Sequence, residues 1–208
     1  METSDAATYW DKVYAERPAS ADPQPNARLV ETVTELPPGD VLDLGCGGGG
    51  DALWLASRGW RVTALDVSAV AATRLARLAR TRGLSDRITA KQHDVRASLP
   101  GLHFDLVTAH YFHTPYGQDR AGILRSAAHL LRPGGRLLVV DHGSTAPWSW
   151  NQDPDVHYPT PQEVAALMRL SPAQWTVERA DAPRRTAVGP DGRTAEVIDH
   201  VLLILRSE

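Results

Sequence analysis

The chain has 208 residues, 42% of them hydrophobic, with 22 Lys and Arg against 25 Asp and Glu for a net charge of −3. That length suits one well-buried α/β domain and is short for two, so residues 1–208 are expected to form a single domain. The mild negative charge gives no broad basic field for nucleic acid or an anionic membrane, the lone Cys46 excludes an internal disulfide, and no apolar run approaches the roughly 20 residues of a membrane-spanning helix.

The opening segment, Met1 to Ala7, is polar and acidic, does not read as a signal peptide, and points to a cytoplasmic location. Helices are expected at Asp5–Glu16 and Asn26–Leu36, with a proline-rich link at Pro18–Pro25 between them, so residues 1–38 form a helical cap ahead of the first strand. From Asp40 to Asp141 strands and helices alternate. The strands are Asp40–Leu44, Arg61–Asp66, Arg87–His93, Phe104–His110 and Arg136–Asp141; the helices are Gly50–Arg58, Ala69–Arg82 and Asp119–Leu131, the last ended by Pro133-Gly134-Gly135. Such alternation predicts a mostly parallel sheet covered on both faces. Residues 142–160 carry no apolar period and form a polar, aromatic loop on the acceptor side. Thr160-Pro161-Gln162-Glu163 then writes a capping box. Strands near Trp175–Ala182 and Ala195–Leu205, joined through Gly189-Pro190-Asp191-Gly192, predict an antiparallel hairpin on one edge. The fold class is therefore α/β, a Rossmann-like, mostly parallel seven-stranded sheet with a C-terminal hairpin.

The most informative stretch is Val41-Leu42-Asp43-Leu44-Gly45-Cys46-Gly47-Gly48-Gly49-Gly50, a strand, a glycine turn and a helix start. Backbone N–H groups bared by such glycines, at a helix N-terminus, receive a nucleotide-like ligand. Gly45, Gly47 and Gly50 fit the spacing of a dinucleotide loop, while Asp43, Gly45, Gly47 and Gly49 fit the D-x-G-x-G-x-G loop of S-adenosylmethionine enzymes. The glycines alone satisfy both. Asp43 separates them, because a carboxylate there repels a pyrophosphate and suits the ammonium of a methionyl group.

With these residues in place, the chain resembles the class I S-adenosylmethionine-dependent methyltransferases of small-molecule type, over about Tyr9 to Leu205. Asp43 to Gly49 is similar to the family's first motif, Phe104-Asp105-Leu106-Val107 to its fourth strand, and Leu130-Leu131-Arg132-Pro133-Gly134-Gly135 to its connection into the fifth. The resemblance implies that Asp66 binds the ribose, with Val67 and Ser68 beside the adenine. It also implies that Asp94 accepts from the adenine amine, with Val95 adjacent. Two vicinal hydroxyls are two donors that one carboxylate can accept together. Tyr9-Trp10-Asp11-Lys12-Val13-Tyr14 is similar to the start of tellurite-resistance-type methyltransferases, which implies that Trp10 and Tyr14 lie next to the cofactor.

The methyl acceptor belongs beyond the carboxyl ends of the strands. His110 and His113 after the fourth strand and His142 after the fifth are the candidate bases. Tyr111, Trp148, Trp150, His157 and Tyr158 are the candidate acceptor-binding residues, aromatic surface for a small molecule. No metal is expected, since His110 and His113 show no established ligand spacing. DNA amino-methyltransferase chemistry is disfavoured by His113-Thr114-Pro115-Tyr116, which lacks the amide or acid and one proline. Arg74, Arg77, Arg80, Arg82, Arg87 and Lys91 form a basic stretch that reads as the solvated face of a helix. The expected activity is in-line methyl transfer to a small molecule. An NAD(P)-dependent oxidoreductase and a non-catalytic S-adenosylmethionine-binding protein remain as alternatives.

Overall fold

The computed structural model describes residues 3–113, 119–149, 151–189 and 192–208. Eight strands run β1 (Asp40–Leu44), β2 (Arg61–Asp66), β3 (Ile88–Gln92), β4 (Phe104–His110), β5 (Leu131–His142), β6 (Trp175–Asp181), β7 (Arg184–Val188) and β8 (Thr194–Arg206). The helices are α1 (Thr3–Glu16), α2 (Ala27–Val33), α3 (Gly50–Ser57), α4 (Ala69–Thr81), α5 (Arg120–Ala128) and α6 (Pro161–Met168).

The sheet order is β3-β2-β1-β4-β5-β8-β6, with β7 on β8. β3 to β5 pair in parallel, and β8 runs antiparallel to β5, β6 and β7. Parallel strands buried on both faces need apolar residues on both, and β1 supplies Val41, Leu42 and Leu44 with no exposed surface. Val41, Leu106, Leu138 and Leu203 belong to one core layer with Leu29, Leu53 and Leu75 from α2, α3 and α4. Leu42, Val107, Leu137 and Leu202 belong to the other, with Leu124 and Met168 from α5 and α6. Each fully buried Leu contributes about 1.5–3 kcal/mol.

Three expectations are corrected. The sheet has eight strands rather than seven: the expected first arm of the hairpin ends as β6 ahead of Pro183, which has no N–H for the ladder, and the segment expected to lead into the connection forms a further strand, β7. β6 then pairs with the second half of β8, and β7 with its first half. The last of the expected sheet helices, α5, ends at Ala128 rather than Leu131, and Pro133-Gly134-Gly135 lies inside β5. There Phe104 faces Leu131 and Leu106 faces Arg136, two steps on β4 against five on β5, so the turn bulges out of the strand.

Local chemistry sets the helix starts. Thr160 and Glu163 complete their capping box on α6. Asn26 caps α2 through Arg28 N–H, and Asp119 caps α5 through Gly122 N–H. α1 docks against α4, where Asp11 accepts from the Ser68 hydroxyl at 2.6 Å and from Val70 N–H at 3.1 Å.

Candidate functional site

β1 and β2 end side by side, with Leu44 opposite Leu65, and the chain leaves β1 through the glycine turn. The Leu65 carbonyl accepts from both Gly45 N–H (2.8 Å) and Cys46 N–H (3.0 Å), which curls the turn over the end of β2. Gly47 has φ of +49°, and a Cβ there would stand 2.8 Å from the Tyr14 hydroxyl; Gly49 has φ of +81°, and its Cβ would stand 2.7 Å from Leu75 Cδ1. A side chain at either position is strained by the backbone and crowded by its neighbour.

Asp66 closes this turn from below. It is 6% exposed; its Oδ2 accepts from Gly47 N–H at 2.9 Å and its Oδ1 from Ser68 N–H at 2.8 Å. Burial lifts its proton affinity above the usual carboxylate value, opposed by those two N–H groups. Each oxygen still has a free lone pair for a hydroxyl.

Asp43 lies behind the turn rather than on the crevice wall. It is 2% exposed, and Thr108, its partner in the β1–β4 register, donates a hydroxyl to Oδ1 at 2.9 Å. Among the described residues Oδ2 has no partner. Burial pushes the Asp43 carboxyl up to about 7, reinforced by the charge of Asp51 and opposed by His110 and the Thr108 hydroxyl. A buried carboxylate with one oxygen unmatched is the arrangement a cation would satisfy.

A crevice opens above these residues in two lobes. The narrow one, about 80 Å³, is walled by Trp10 and Tyr14 of α1 and by Asp66, Val67, Asp94 and Val95. The wide one, about 770 Å³, lies over Gly45–Gly50 and reaches His110, Tyr111, His113 and His142. The structure thus brings Gly45, Gly47, Gly49, Asp66, Val67, Asp94, Val95, Trp10 and Tyr14 together. Tyr14 lies against Gly47, and burial beside Asp66 raises its hydroxyl's proton affinity. Asp94 is engaged by Arg96, whose Nε and Nη2 each donate at 2.9 Å and whose backbone N–H donates at 3.0 Å, holding the carboxyl below its ordinary value. Ser68 is not on the wall. It is fully buried, caps α4 through Ala71 N–H at 3.1 Å and gives its proton to Asp11.

On the acceptor side, His110 is 5% exposed at the side chain, and its Nδ1 lies 2.7 Å from Asp51 Oδ2. The other Asp51 oxygen accepts from Asn26 N–H at 2.6 Å. His113 Nε2 is 3.2 Å from Asp141 Oδ1, and Arg120 grips both Asp141 oxygens at 2.7 and 2.8 Å. Asp141 is buried, which favours its protonated form, yet His113 and Arg120 hold it below the usual carboxylate value. Tyr111 has φ of +49°, stacks on His142 with ring centres 4.2 Å apart, and donates its hydroxyl to Asp199 at 2.9 Å. The stack partly desolvates His142, and with His113 nearby its proton affinity falls below the ordinary histidine value.

The late loop does not deliver the acceptor residues expected of it. Tyr158 bonds Thr145 at 2.9 Å, His157 lies exposed with Nε2 3.4 Å from Glu163, and Trp148 is half-buried; none of the three lines either lobe. Polar contacts within the loop and with the start of α6 hold them there instead. Trp150 lies outside the described residues. Of the basic stretch, Arg77, Arg80, Arg82, Arg87 and Lys91 are exposed as expected, while Arg74 donates to the Tyr14 and Arg17 carbonyls and Arg82 to Ala21 O and Asp22. Arg74 of α4 and Arg82 just past its end fasten the cap.

Sequence reasoning missed Asp51, Asp11 and the buried Asp199, on which Arg28 and Arg185 converge. For Asp51 a signal existed, an acid in the first turn of α3, but nothing local pairs it with a histidine 59 residues away. Cys46 is buried, and burial among Asp43 and Asp66 keeps its thiol protonated well above the usual value. Among the described residues no group of three or more His, Cys, Asp or Glu is placed to hold a metal, and no helix is long and apolar enough to cross a membrane.

Comparison with known proteins agrees with this geometry. A family model described as a methyltransferase domain matches residues 41–135. The ubiquinone biosynthesis O-methyltransferase of Xanthomonas euvesicatoria pv. vesicatoria is 34% identical over 141 residues, covering 64% of this chain and 56% of that one. The 2-heptyl-1-hydroxyquinolin-4(1H)-one methyltransferase of Mycobacteroides abscessus is 28% identical over 181 residues, covering 86% and 77%. A structure solved in work on the conversion of a disulfide bond into a thioacetal group during echinomycin biosynthesis is 26% identical with a TM-score of 0.73, covering 97% and 91%. The chain spans about half the length of the ubiquinone O-methyltransferase it matches.

Proposed function

We propose that residues 41–135, which match a methyltransferase-domain model, are a class I S-adenosylmethionine-dependent methyltransferase domain, and that the protein methylates a small molecule seated in the wide lobe. The observation that carries the reading is the pair of buried carboxylates around the glycine turn. Asp43 keeps an unmatched oxygen, and Asp66 keeps lone pairs free on both of its oxygens. Two carboxyl groups under one turn offer no positive charge to a dinucleotide's pyrophosphate, and as carboxylates they suit an ammonium and a ribose. The residues present therefore fit S-adenosylmethionine: Asp43 acts on the amino-acid tail from behind the turn, Asp66 takes the ribose, and Asp94, released in part by Arg96, takes the adenine amine.

The cofactor supplies a methyl group already activated by a positively charged sulfur. The chain's own residues then have to align, shield and manage protons. Trp10 and Tyr14 cover the narrow lobe against water, and His110, His113 and His142 stand on the wide lobe, where an acceptor can be oriented or deprotonated. The net charge of −3 and the inward use of Arg74 favour a small molecule over nucleic acid.

Calorimetry with S-adenosylhomocysteine and with NADH tests the reading. Binding of the first and not the second is expected; the reverse removes the proposal. Cofactor binding with no labelled methyl passed to any component of a cell metabolite extract would instead support a non-catalytic binding protein.

A further inference from the structure

The backbone of Tyr111 is held against its preference. Its φ of +49° lies in the left-handed region, where a bulky side chain crowds its own main chain, so the conformation persists only where the surroundings impose it. They impose it through backbone, ring and hydroxyl. Tyr111 N–H donates to the Val140 carbonyl at 2.7 Å, and the Tyr111 carbonyl accepts from His113 N–H at 2.9 Å. The ring stacks on His142 with centres 4.2 Å apart. The hydroxyl donates to Asp199 Oδ1 at 2.9 Å and accepts from Arg185 Nη2 at 3.2 Å.

Asp199 anchors that hydroxyl. It is 1% exposed on β8, directly across from His142 in the β5–β8 register. Its other oxygen accepts from Arg28 Nε at 3.1 Å and from Arg185 Nε at 2.8 Å. A buried carboxylate gripped by two guanidinium groups is a fixed point, and a hydrogen bond to it is stronger than one between neutral groups. Arg28 comes from α2 and Arg185 from β7, so the helical cap and the C-terminal strands meet on this residue. Tyr111 in turn lines both lobes of the crevice and stands at their junction.

We propose that Asp199 is a positioning residue for methyl transfer: by holding the Tyr111 hydroxyl it fixes the Tyr111 ring, and through the stack the imidazole of His142, as the rigid wall against which the acceptor is aligned. The inference rests on the methyl-transfer reading above. A plain ion cluster needs only the two arginines, which already join α2 and β7 to β8. The Tyr111 hydroxyl adds little to that joint, since β4 is held between β1 and β5. What it adds is a fixed direction for a side chain that would otherwise turn about its own torsions. With its one proton spent on Asp199, Tyr111 has no donor left for an acceptor, so its ring aligns by shape and not by a polar contact.

The test follows two readouts in the whole protein. The first is transfer of labelled methyl from saturating S-adenosylmethionine into a cell metabolite extract, measured over a dilution series of that extract. Tyr111→Phe removes a single oxygen, and Asp199→Asn keeps the shape and removes the charge. Each should lower transfer at limiting extract by about 10-fold or more, within the range by which misalignment slows a reaction, and a smaller loss overturns the proposal. In the double variant the two losses should not add, because both break one contact; simple addition overturns it as well. The second readout is the NMR shift of the His142 ring protons in cofactor-free protein, which the facing Tyr111 ring moves upfield. Both variants should reduce that displacement, and an unchanged signal means that the hydroxyl does not fix the ring. Thr160→Ala, which removes only the cap of α6, is the control for stability. It should lower the melting temperature and leave both readouts in place; an equal loss of transfer there would make the effect one of stability and overturn the positioning role. Should Asp199→Asn fail to fold, Tyr111→Phe still decides, because it leaves both arginines on Asp199. Failure of the unaltered protein to bind S-adenosylhomocysteine, or to transfer methyl at all, would sink the methyl-transfer reading itself, whereas transfer indifferent to Tyr111→Phe sinks only the role of Asp199.

Discussion

Replacing Asp66 by Ala is the sharpest perturbation of the cofactor site. A hydrogen bond to a charged group is worth about 1.5–3 kcal/mol. Two ribose hydroxyls would make two such bonds, but Gly47 N–H and Ser68 N–H already draw on the same oxygens, and burial raises the proton affinity of the carboxyl. The discounted sum is about 3 kcal/mol, roughly a 100-fold loss of affinity. The substitution also strands two buried N–H groups, each costing about 1–3 kcal/mol of stability, so a fall in melting temperature accompanies it. A ligand-side comparison separates the two effects. Calorimetry with S-adenosylhomocysteine and with an analogue lacking the ribose hydroxyls should show the analogue weakened on the unaltered protein, and no further weakened on Asp66→Ala. If the two losses simply add, the carboxylate does not touch the ribose, and the reasoning fails.

Two further outcomes are expected. Because the folded chain holds a proton on Asp43 up to about pH 7, more tightly than the unfolded chain does, the resulting stability is complete below the ordinary value of 3.8 and is lost as pH rises through about 7. Asp43→Asn should therefore flatten the decline in melting temperature between those limits while weakening S-adenosylhomocysteine binding, and an unchanged pH profile would contradict the burial argument. Asp11→Ala removes the acceptor for the Ser68 hydroxyl and Val70 N–H. The loss of about 1–2 kcal/mol should lower the melting temperature by about 2–8 °C in calorimetry, and no shift would mean that α1 is held to α4 by other contacts.

How much of this was legible depends on the distance over which each signal acts. The glycine turn, the alternation of strands and helices and the Thr160 capping box are written in neighbouring residues, and the structure places each where periodicity and capping put it. The strand after Pro183 was not expected, because Arg184-Arg185-Thr186-Ala187-Val188 carries little apolar alternation and is a strand through its pairing with Thr194–Ile198. Side chains that meet across the fold left no such trace. Ser68 looked like a cofactor residue from its position after β2, yet its hydroxyl is taken by Asp11, 57 residues earlier in the chain. The aromatic density of residues 142–160 looked like a binding surface, yet Tyr158 and His157 turn to Thr145 and Glu163. Arg74 looked like part of a solvated stripe, yet it alone of the six is half-buried, held by backbone carbonyls of the cap.

The placement of β8 between β5 and β6 bears on how the molecule is built during synthesis. Residues 194–206 fill an interior slot in the sheet, so while the nascent chain is still shorter than that, β5 has an open flank on one side and β6 has no strand to pair with. Unpaired flanks of this kind recruit other strands, including those of neighbouring ribosomes' products. Ribosome stalling or a premature stop shortly before residue 194 would therefore yield a sticky fragment rather than a shortened enzyme.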